Sequence, residues 1–474
     1  MSMESFDVVV IGGGPAGMGA ATRASSLGLR TALIEEAAAT GGQVYRPIPR
    51  QFRSTGDQHP GDALRRELLA SETKVFLEHA VWNLSDGYHI DVIGPRGTER
   101  IDTRTLILAT GTHERFVPVK GWTLPGVIGL GAATGLMKSQ QILPGRNVVV
   151  AGAGPLLLVV AAMILEAGGR VAALVDLNGM SDWTACLPAM LSRPDLIWRG
   201  SQWWSRLVRA GTPVFRRHTV TAIEGEDSVH AVELAPVDDS WNVSASTART
   251  VSADAVCIGH GLCPSTEMTR LLNVPHRFAP ELGGWVPEVD DDYRTKREGL
   301  YVVGDAAGVQ GVAAAPLSGE IAALSAAHAL ESGVFDHDQL VRARAPLSKE
   351  LRRASRFGRA MGGLTRIRPG LVAGISADTI VCRCEDVTRE QIDDAVAAGC
   401  RDINQVKAVT RCGMGPCQGR VCGDGAASVM AMTVGSHERV GQLTARPPFR
   451  PVATKALTGT FVYDDIMMAE HAPT

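Results

Sequence analysis

The sequence lacks a hydrophobic run long enough to cross a membrane, and it lacks a strong net charge. Its apolar segments fall short of the roughly 20 residues that a membrane-spanning helix needs, and they belong to strand–turn–helix patterns. A net charge of −3 at pH 7 indicates neither a nucleic acid nor an anionic membrane as the main partner. With 474 residues, 45% hydrophobic and 20% charged, the chain has the composition of an ordinary soluble protein of two or three domains.

A secretory signal and a disulfide framework are also missing. The first apolar run leads directly into a folded motif, so we expect no signal peptide. Nine cysteines are an odd number, and six of them lie between Cys382 and Cys422. Crowding of this kind is typical of a metal or cluster site in a reducing compartment. We therefore predict a soluble cytoplasmic protein.

A glycine-rich turn follows the first predicted strand. The apolar run Phe6–Ile11 is typical of a strand buried on both faces, and the segment 12–17, GGGPAG, leads into an alanine-rich helix. Gly12 permits the tight turn, Gly14 lets the backbone approach a pyrophosphate, and Gly17 allows close contact between helix and strand. The N-terminus of the helix presents free N–H groups to phosphates. The pattern predicts a nucleotide-binding fold, and the alternative is a structural turn.

An acidic pair and three later segments extend this prediction to FAD. Glu35 and Glu36 end the second predicted strand, about 20 residues after the first glycine, where an acid accepts hydrogen bonds from ribose hydroxyls. The later segments are a glycine loop that could meet the isoalloxazine ring and two buried strands with small residues at their ends. They are Gly41-Gly42-Gln43, Leu106–Gly111 and Leu300–Asp305. The carboxylate of Asp305 could accept a hydrogen bond from the ribityl chain.

A second glycine fingerprint begins at Gly152 and departs from the pattern at one position. The apolar run Asn147–Ala151 precedes GAGPLL, in which Leu157 takes the place of the third glycine. A branched side chain there should push the helix from the strand and crowd a pyrophosphate. Asp176, after the next strand, suits a ribose 2′-hydroxyl and would repel a 2′-phosphate, so NADH would be preferred over NADPH. The alternatives are a fold that binds nothing or one that binds another adenine nucleotide.

The nucleotide-binding segments lack the groups that two familiar reactions need. Cys186, Cys257 and Cys263 are isolated, so these segments offer no Cys-x-x-Cys pair for disulfide reduction. Free cysteines of this kind are usually core residues. No convincing general base for amine oxidation is visible. His113 and Glu114 could move protons near a flavin, and the alternative is that they are ordinary loop residues.

Two cysteine pairs in the C-terminal part predict a metal or cluster site. The pair Cys382-x-Cys384 is separated by 27 residues from the pair Cys412-x4-Cys417. Four thiolates in two pairs can hold zinc or an iron–sulfur cluster. The pairs of zinc sites are usually separated by two to four residues, so the Cys-x-Cys pair favours the cluster. Cys422 is a rival for the fourth ligand, and on this ligand set Cys422→Ser should spare the cluster whereas Cys417→Ser should abolish it.

The sequence between the two pairs predicts a helix over Asp386–Ala398. Thr388 is its expected N-cap, and Gln391, three residues later, completes a capping box. Cys400, just after this helix, is predicted to be a core residue. Three further glycines leave backbone N–H groups free to bond cluster sulfurs, which would raise the reduction potential. They are Gly413, Gly415 and Gly419.

These segments resemble families of known function. The nucleotide-binding pieces resemble flavoproteins with two dinucleotide domains, related to thioredoxin and glutathione reductases. The cysteine pairs resemble the bacterioferritin-associated ferredoxin type of [2Fe-2S] domain, although that type usually has Cys-x2-Cys as its second pair. The first resemblance puts the adenine near Val81, in a predicted strand Lys74–Trp82. The residues implied in FAD binding are Gly12, Gly14, Pro15, Ala16, Gly17, Glu35, Glu36, Gly42, Gln43, Val81, Ala109, Thr110, Gly111, Gly304 and Asp305. The residues implied in cluster binding are Cys382, Cys384, Cys412 and Cys417.

Longer stretches resemble a narrower group, the large subunit of heteromeric FAD-dependent amino-acid and opine dehydrogenases. This group includes the large subunits of opine oxidase and of proline and hydroxyproline dehydrogenases. The stretches are GGQVYRP, ATGTHERFVPVKGWTLPGV, GAGPLLLVVA, CRCEDVT and TRCGMGPCQGRVCG. The resemblance implies an FAD-dependent partner subunit that oxidises the C–N bond of an amino acid or opine. It also implies electron flow through flavin and cluster to an acceptor other than oxygen, and it suggests an FMN at a subunit interface.

We therefore predict an α/β fold with two nested Rossmann-like dinucleotide-binding domains and a small C-terminal helical [2Fe-2S] domain. The predicted FAD-binding domain comprises 1–125 and 255–332, and the NAD-binding-like domain 126–254. A helical linker, 333–378, a cluster domain, 379–435, and a tail, 436–474, complete the chain. Two other functions stay open on the sequence. One is a stand-alone NADH-dependent reductase, and the other is a non-catalytic nucleotide-binding subunit with a zinc site.

Overall fold

The computed structural model describes residues 3–47, 59–244, 247–330 and 336–457. The end of the predicted tail, 458–474, lies outside these ranges. Its strands are β1 (Met3–Ile11), β2 (Thr31–Ile34), β3 (Lys74–Phe76), β4 (Ala80–Ser85), β5 (His89–Gly94), β6 (Gly97–Leu108), β7 (Thr112–Glu114), β8 (Val127–Gly129), β9 (Asn147–Gly152), β10 (Arg170–Asp176), β11 (Val214–Arg216), β12 (His218–Gly225), β13 (Val229–Pro236), β14 (Arg249–Ser252), β15 (Ala255–Gly259), β16 (Leu262–Pro264), β17 (His276–Ala279), β18 (Gly284–Pro287), β19 (Leu300–Val302), β20 (Ile380–Cys382) and β21 (Val387–Thr388).

Helices alternate with these strands in the first part of the chain and dominate the last part. They are α1 (Pro15–Ser26), α2 (His59–Ala70), α3 (Leu130–Gly135), α4 (Leu156–Glu166), α5 (Met180–Ala185), α6 (Leu187–Met190), α7 (Pro194–Arg209), α8 (Glu267–Leu271), α9 (Ala315–Ala329), α10 (His337–Gly363), α11 (Pro369–Ala373), α12 (Arg389–Ala397), α13 (Ile403–Thr410), α14 (Gly423–Val434), α15 (His437–Val440) and α16 (Thr454–Leu457). Across the described ranges, each helix is too short or too polar to cross a membrane.

β1 lies at the centre of the larger sheet. The strand order is β3-β2-β1-β6-β5-β4, with β19 paired to β6, and β1, β2, β6 and β19 run parallel. Val8, Val9 and Val10 are completely buried, as expected for an apolar run covered on both faces. α1 packs against α9 so closely that a Cβ atom at Gly319 would lie 2.1 Å from the Ala16 carbonyl oxygen. This sheet with α1, α2 and α9 is called the first nucleotide fold.

The predicted strand over Lys74–Trp82 is wrong, because the chain forms two strands there. β3 pairs with β2 and β4 pairs with β5, so they occupy opposite edges of the larger sheet. Between them Glu78 has a φ of 57°, a left-handed conformation that ends a strand. The Glu78 N–H donates to the Ala37 carbonyl oxygen (3.1 Å), and the His79 N–H donates to that of Glu35 (3.0 Å). These bonds hold the turn against the end of β2.

The smaller parallel sheet is inserted between β7 and β16. Its order is β11-β10-β9-β15-β8, and the antiparallel sheet β12-β13-β14 shares a core with it. β7 and β16 pair as an antiparallel ribbon, with His113 opposite Cys263, and carry the chain between the two parallel sheets. The smaller sheet with α4 is called the second nucleotide fold. The predicted α/β class with two nested Rossmann-like folds is confirmed, whereas the domain limits remain a prediction.

Helix α10 leads from the nucleotide folds to the C-terminal part. Asp336 caps its start by accepting a hydrogen bond from the Gln339 N–H (2.7 Å), in a capping box. The helix passes so close to the loop before α9 that a Cβ atom at Gly358 would lie 1.7 Å from the Gln310 carbonyl oxygen. The predicted linker after it contains the short helix α11. The connection is therefore packed against the nucleotide folds along its length.

Strands β20 and β21 and helices α12–α15 form a small unit, called the cysteine module (380–440). α12 begins at Arg389, three residues later than predicted, because Thr388 caps it. The Gln391 N–H donates to the Thr388 hydroxyl (3.3 Å) and the Gln391 side chain accepts from the Thr388 N–H (2.9 Å), which confirms the capping box. The core of the module is not self-contained. It includes Val117, Leu177 and Trp241 from the second nucleotide fold and its connections.

Candidate functional site

The glycine loop between β1 and α1 is closed on two sides and open on the third. A Cβ atom at Gly12 would lie 2.3 Å from the Ala109 carbonyl oxygen, and one at Gly17 would lie 1.8 Å from that of Gly12. At Gly14 the nearest atom to a Cβ would be 3.9 Å away. The first and third glycines are therefore required by packing. The second leaves room on the side from which a pyrophosphate would approach.

Glu35, at the end of β2, faces this loop. Its carboxylate accepts hydrogen bonds from the Gly13 N–H (2.7 Å) and the Ala37 N–H (2.8 Å). Burial raises the pKa of Glu35. Its neighbour Glu36 points outward instead and forms an ion pair with Arg450 (3.1 Å). Glu35 is thus the acid placed to meet a ribose, and Glu36 is held in a surface ion pair.

The loop Gly304-Asp305 follows β19 at the same edge of the larger sheet. The carboxylate of Asp305 accepts hydrogen bonds from the N–H groups of Gln310 (3.0 Å) and Gly311 (3.2 Å), and burial raises its pKa. The Gly304 N–H donates to the Ser318 hydroxyl (2.9 Å) at the start of α9. Gly304 has a φ of 63°, which glycine adopts without strain. The loop is therefore fixed by the Asp305 carboxylate and by Ser318 of α9.

The end of β6 lies between these two loops. The Ala109 N–H donates to the Ile11 carbonyl oxygen (2.8 Å), which holds the ends of β6 and β1 together. The Thr110 hydroxyl donates to the Ser265 carbonyl oxygen (3.0 Å). A Cβ atom at Gly111 would meet no atom within 4 Å. Parallel sheets bind nucleotides in the crevice at the carboxyl ends of their strands, and this edge is such a crevice.

Most of the remaining residues predicted for FAD lie near the same edge. Gly42 lies directly over the glycine loop, since a Cβ atom there would be 2.9 Å from the Gly14 Cα. Gln43 is exposed beside it, and Val81 is buried in β4. Pro15 and Ala16 open α1. The structure thus brings the predicted residues together around one crevice, apart from the outward-facing Glu36 and from Val81 in the edge strand β4, and their roles in binding remain predictions.

The glycine loop of the second nucleotide fold is packed against its sheet like that of the first fold, but it leaves no open side for a ligand. A Cβ atom at Gly152 would lie 1.8 Å from the Gly259 carbonyl oxygen, as at Gly12 in the first fold. Leu157 is buried in the core of this fold, so its branched side chain is accommodated inside the helix–sheet packing. α4 begins at Leu156, after Pro155.

A segment after α10 lies over this second glycine loop. A Cβ atom at Gly154 would lie 2.5 Å from the Thr365 side chain, and one at Gly261 would lie 2.7 Å from it. The Asn178 side chain donates to the Leu364 carbonyl oxygen (3.0 Å). Leu364-Thr365 therefore occupies the side of the loop that a pyrophosphate would approach.

Asp176, the acid of the second fingerprint, is already hydrogen-bonded within the protein. Its carboxylate accepts from the Asn178 N–H (3.0 Å), the Asn178 side-chain amide (3.1 Å) and the Trp183 indole N–H (2.8 Å). Burial raises the pKa of Asp176. A ribose hydroxyl would have to compete with these three donors.

Five cysteine side chains converge in the cysteine module. The sulfurs of Cys382, Cys412 and Cys422 all lie within 4.8 Å of one another and are buried. Cys417 contacts Cys422, and it also contacts Cys384. The structure therefore brings the four predicted ligands together and adds Cys422 at their centre. Cys400 lies outside this group and packs partly buried against the core, as predicted.

Hydrogen bonds among these thiols determine which is charged. The thiols of Cys412 and Cys422 donate to Cys382, which lowers the pKa of Cys382 to about 2. Donation by Cys422 lowers the pKa of Cys417 to about 5. The pKa of Cys412 is raised to about 12, first because it donates to Cys382. These hydrogen bonds therefore favour the thiolate forms of Cys382 and Cys417, and the thiolate is the form in which cysteine binds metals.

Glycines make this convergence sterically feasible. The N–H of Gly413 bonds Cys382, and the N–H of Gly419 bonds Cys417. A Cβ atom at Gly415 would lie 2.2 Å from that of Cys384. In the described part of the chain, this cluster offers thiols as its donors, without a carboxylate or imidazole. The donor set fits an iron–sulfur cluster and also zinc, and it has one thiol more than four ligands require.

Ion pairs that the sequence did not reveal join the cysteine module to the rest of the protein. Arg115, just after β7, binds Asp424 of α14 (2.7 Å). Glu267, at the start of α8, binds Arg420 of the loop between Cys417 and Cys422 (2.6 Å). The partners are far apart in the sequence and have no local motif, so only an alignment of many relatives could have paired them.

Glu114 has a structural role beside these pairs. Its carboxylate accepts hydrogen bonds from the N–H groups that open α3, among them that of Gly131 (3.0 Å). Burial raises the pKa of Glu114 to about 7. It is therefore a helix cap rather than a free loop residue.

Comparison with known proteins agrees with this architecture. Residues 6–330 match the model of the pyridine nucleotide-disulphide oxidoreductase family, and residues 377–460 match that of the sarcosine oxidase A3 domain. The structure of L-proline dehydrogenase from P. horikoshii superimposes with a TM-score of 0.69 at 22% identity, covering 96% of this chain and 80% of that one. At this identity the similarity concerns the fold.

Two relatives match nearly the whole chain at higher identity. Hydrogen cyanide synthase subunit HcnB of Pseudomonas protegens is 32% identical over 468 residues, which cover 95% of this chain and 97% of the relative. The A subunit of opine oxidase from Agrobacterium tumefaciens is 33% identical over 472 residues, which cover 95% and 90%. The chain therefore belongs to the pyridine nucleotide-disulphide oxidoreductases and, among them, to the FAD-dependent large subunits of heteromeric amino-acid and opine dehydrogenases, the family of HcnB and the opine oxidase A subunit.

Proposed function

We propose that this chain is the FAD- and [2Fe-2S]-containing subunit of a dehydrogenase for an amino acid or an opine of the hydroxyproline, proline, octopine or nopaline type. A partner subunit would oxidise the C–N bond, and this chain would relay the electrons to an acceptor other than oxygen. The names of the relatives support the proposal, since they are subunits of opine oxidase and hydrogen cyanide synthase. Cytoplasmic localisation is part of the same proposal.

The convergence of five thiols beside the nucleotide folds carries the proposal. A protein that only bound a nucleotide would need no such cluster of buried cysteines. The buried ion pair of Arg115 with Asp424 fixes the position of the cysteine module relative to the β7–β16 ribbon, which begins three residues after Ala109. A fixed separation between two redox centres is what a relay requires.

In this proposal the first nucleotide fold holds FAD, which would supply the chemistry of a two-electron oxidant. The open face of Gly14 and the N-terminus of α1 would receive the pyrophosphate. Glu35 would accept hydrogen bonds from the adenosine ribose, and Asp305 would accept one from the ribityl chain. Both carboxylates lie at the carboxyl-end edge of the larger sheet, where a nucleotide binds, and this location supports these roles.

The cysteine module would hold a [2Fe-2S] cluster, which supplies one-electron chemistry. The ligands predicted from the sequence are Cys382, Cys384, Cys412 and Cys417. The contacts of Cys422 with Cys382, Cys412 and Cys417 give it an equal claim to the fourth position. Backbone N–H groups such as that of Gly413 would raise the potential by bonding the sulfurs.

The position of Thr365 argues against a stand-alone NADH-dependent reductase. The second glycine loop is covered by Leu364-Thr365, and Asp176 is bonded within the protein. An FMN at a subunit interface stays part of the proposal as the family resemblance implies it.

The test is to produce the chain together with the products of its neighbouring open reading frames. The purified complex should show flavin and iron–sulfur absorption, and extraction should identify FAD and any FMN. Amino acids and opines are then screened with an artificial electron acceptor. A colourless complex, one that contains zinc instead of iron, or one whose dye no amine substrate reduces would contradict the proposal.

A further inference from the structure

A cavity of about 80 Å³ lies between the cysteine module and the β7–β16 ribbon with α8. Several water molecules would fit in it, since about 10–15 Å³ suffices for one. His113, Glu267 and Arg270 line it from the side of the ribbon, and Arg420 lines it from the cysteine module. Trp285 adds an apolar wall. The cavity therefore combines fixed charges with an apolar surface.

One arginine at this cavity, Arg270, has no carboxylate of its own among the described residues. Arg115 is paired with Asp424 (2.7 Å) and Arg420 with Glu267 (2.6 Å). Arg270 has only the shared Glu267 as a neighbouring carboxylate among the described residues, and its guanidinium donates to two backbone carbonyl oxygens. Burial lowers the pKa of Arg270. Two ion pairs are therefore complete, and Arg270 is left without a carboxylate of its own, so its charge is the one that a ligand could balance.

The two histidines of the cavity do not change this balance. Burial lowers the pKa of His113 and of His437, so both rings are neutral near pH 7. His437 stacks on Phe278 with ring centroids 4.2 Å apart and is hydrogen-bonded to Ser428 (3.2 Å). The Nδ1 atom of His113 is buried and has no hydrogen-bond partner within the described part of the chain. A buried ring nitrogen without a partner is costly unless a ligand or water bonds it.

We propose that this cavity binds a small aliphatic monocarboxylate, with Arg270 as its counter-ion and the Nδ1 atom of His113 as a hydrogen-bond donor. The charge of Arg270, which has no carboxylate of its own, selects a monoanion, and the apolar wall at Trp285 suits a short carbon chain. Space for several waters is enough for a ligand of about two or three carbons.

The site lies between the two proposed redox centres. On one side Gly283, next to Leu282, lines the cavity, and Leu282 packs against Gly308 in the turn that follows Asp305. On the other side the cavity is lined by the loop from Gln418 to Arg420, between Cys417 and Cys422. The inference goes beyond the proposed function and does not rest on it, because it depends on charges that are present whichever substrate the complex oxidises.

The test is calorimetric titration of the purified full-length protein with acetate and with its neutral isostere acetamide at constant ionic strength. We expect acetate to bind at least tenfold more tightly than acetamide, because only acetate balances the charge of Arg270. Arg270→Gln should weaken acetate binding about tenfold or more. Arg277→Gln is the matched control, since Arg277 is exposed on the neighbouring strand β17, and it should leave the affinity unchanged.

A second variant keeps the test decisive if Arg270→Gln does not fold. His113→Leu removes the unpaired ring nitrogen and should also weaken acetate binding, while His218→Leu, at a partly exposed site on β12, should not. Three results would overturn the proposal: no heat with acetate, equal binding of acetate and acetamide, or unchanged affinity in both cavity variants. Chloride or sulfate that competes as well as propionate would overturn the assignment to carboxylates.

Discussion

The guanidinium of Arg115 and the carboxylate of Asp424 form an ion pair between the end of β7 and helix α14, with the Arg115 Nε 2.7 Å from the Asp424 Oδ2. Arg115 is buried and also donates to the Gly283 carbonyl oxygen (2.8 Å). The pair ties the cysteine module to the nucleotide folds through a guanidinium that is almost fully buried. A charge in such a place is stabilised only through its partner.

Asp424→Asn should therefore destabilise the protein strongly. The buried guanidinium of Arg115 would keep its charge without a counter-ion, and we expect a loss of about 3–5 kcal/mol in the free energy of unfolding. Urea unfolding of the purified protein measures it. Asp378→Asn is the matched control. Asp378, two residues before the cysteine module, forms an ion pair with Lys120, and both side chains are exposed. It should cause no measurable loss, and similar losses in the two variants would refute the argument.

Alanine substitutions at Gly14 and Gly17 should have different effects, the first on FAD binding and the second on folding. A Cβ atom at Gly14 would make only an ordinary van der Waals contact, 3.9 Å from the Gly42 Cα, so Gly14→Ala should leave the flavin-free protein stable to within about 1 kcal/mol. It should nevertheless lower the FAD content at least tenfold, because the methyl group occupies the approach of the pyrophosphate. Gly17→Ala collides with the Gly12 carbonyl oxygen and should prevent folding. Full FAD content in Gly14→Ala would show that the cofactor lies elsewhere.

Serine variants should identify the cluster ligands. Cys382→Ser, Cys384→Ser and Cys412→Ser are each expected to abolish the visible iron–sulfur absorption. The sequence favours Cys417 over Cys422 as the fourth ligand, but Cys422 contacts Cys382, Cys412 and Cys417. We therefore expect Cys422→Ser to be at least as damaging as Cys417→Ser. Cys400→Ser is the control and should keep its absorption and iron content; an intact spectrum in Cys422→Ser would restore the ligand set predicted from the sequence.

NADH alone should not reduce the bound flavin. Leu364-Thr365 covers the second glycine loop, and three hydrogen bonds already occupy Asp176. Anaerobic addition of NADH to the purified chain should leave the flavin absorption unchanged, whereas dithionite should bleach it. Bleaching by NADH within seconds would mean that Leu364-Thr365 moves aside and that the chain works as a reductase by itself.

The cap formed by Glu114 should make stability depend on pH. Its pKa in the folded protein is about 7, above the value of 4.5 for an exposed glutamate, so the folded state holds the proton more tightly. Protonated Glu114 therefore stabilises the folded state by about 3 kcal/mol below about pH 4.5, and this stabilisation is lost as the pH rises to about 7. Glu114→Gln has no proton to lose, so the free energy of unfolding of the variant relative to the wild type should increase from pH 5 to pH 8. Glu36→Gln, at an exposed site, should show no such trend.

The sequence was enough to predict those parts of the structure that depend on residues close together along the chain. The strand β1, the glycine loop and α1 are specified by consecutive residues, so their order and the roles of Gly12 and Gly17 in packing could be predicted. The capping box of Thr388 and Gln391 is local in the same way. The four predicted cysteine ligands meet because their two pairs follow short, recognisable spacings.

The remaining features depend on contacts between distant segments. The break between β3 and β4 requires a positive φ at Glu78, a residue with no local preference for it. Nothing near Thr365 indicates that it covers Gly154, and nothing near Arg115 indicates Asp424 as its partner. Cys422 gains its position from the turn after Cys417, whose shape depends on Gly419 and on packing against Leu443. Such tertiary contacts leave no periodic signal in one sequence.

The core that the cysteine module shares with Val117, Leu177 and Trp241 has a practical meaning for protein engineering. A ferredoxin that folds by itself can be moved between proteins as a cassette. Excision of this module would expose its apolar underside and remove part of the core that it shares with these three residues. Chimeras that exchange electron-transfer units within this family should therefore carry the contact surface of the second nucleotide fold along with the cysteines.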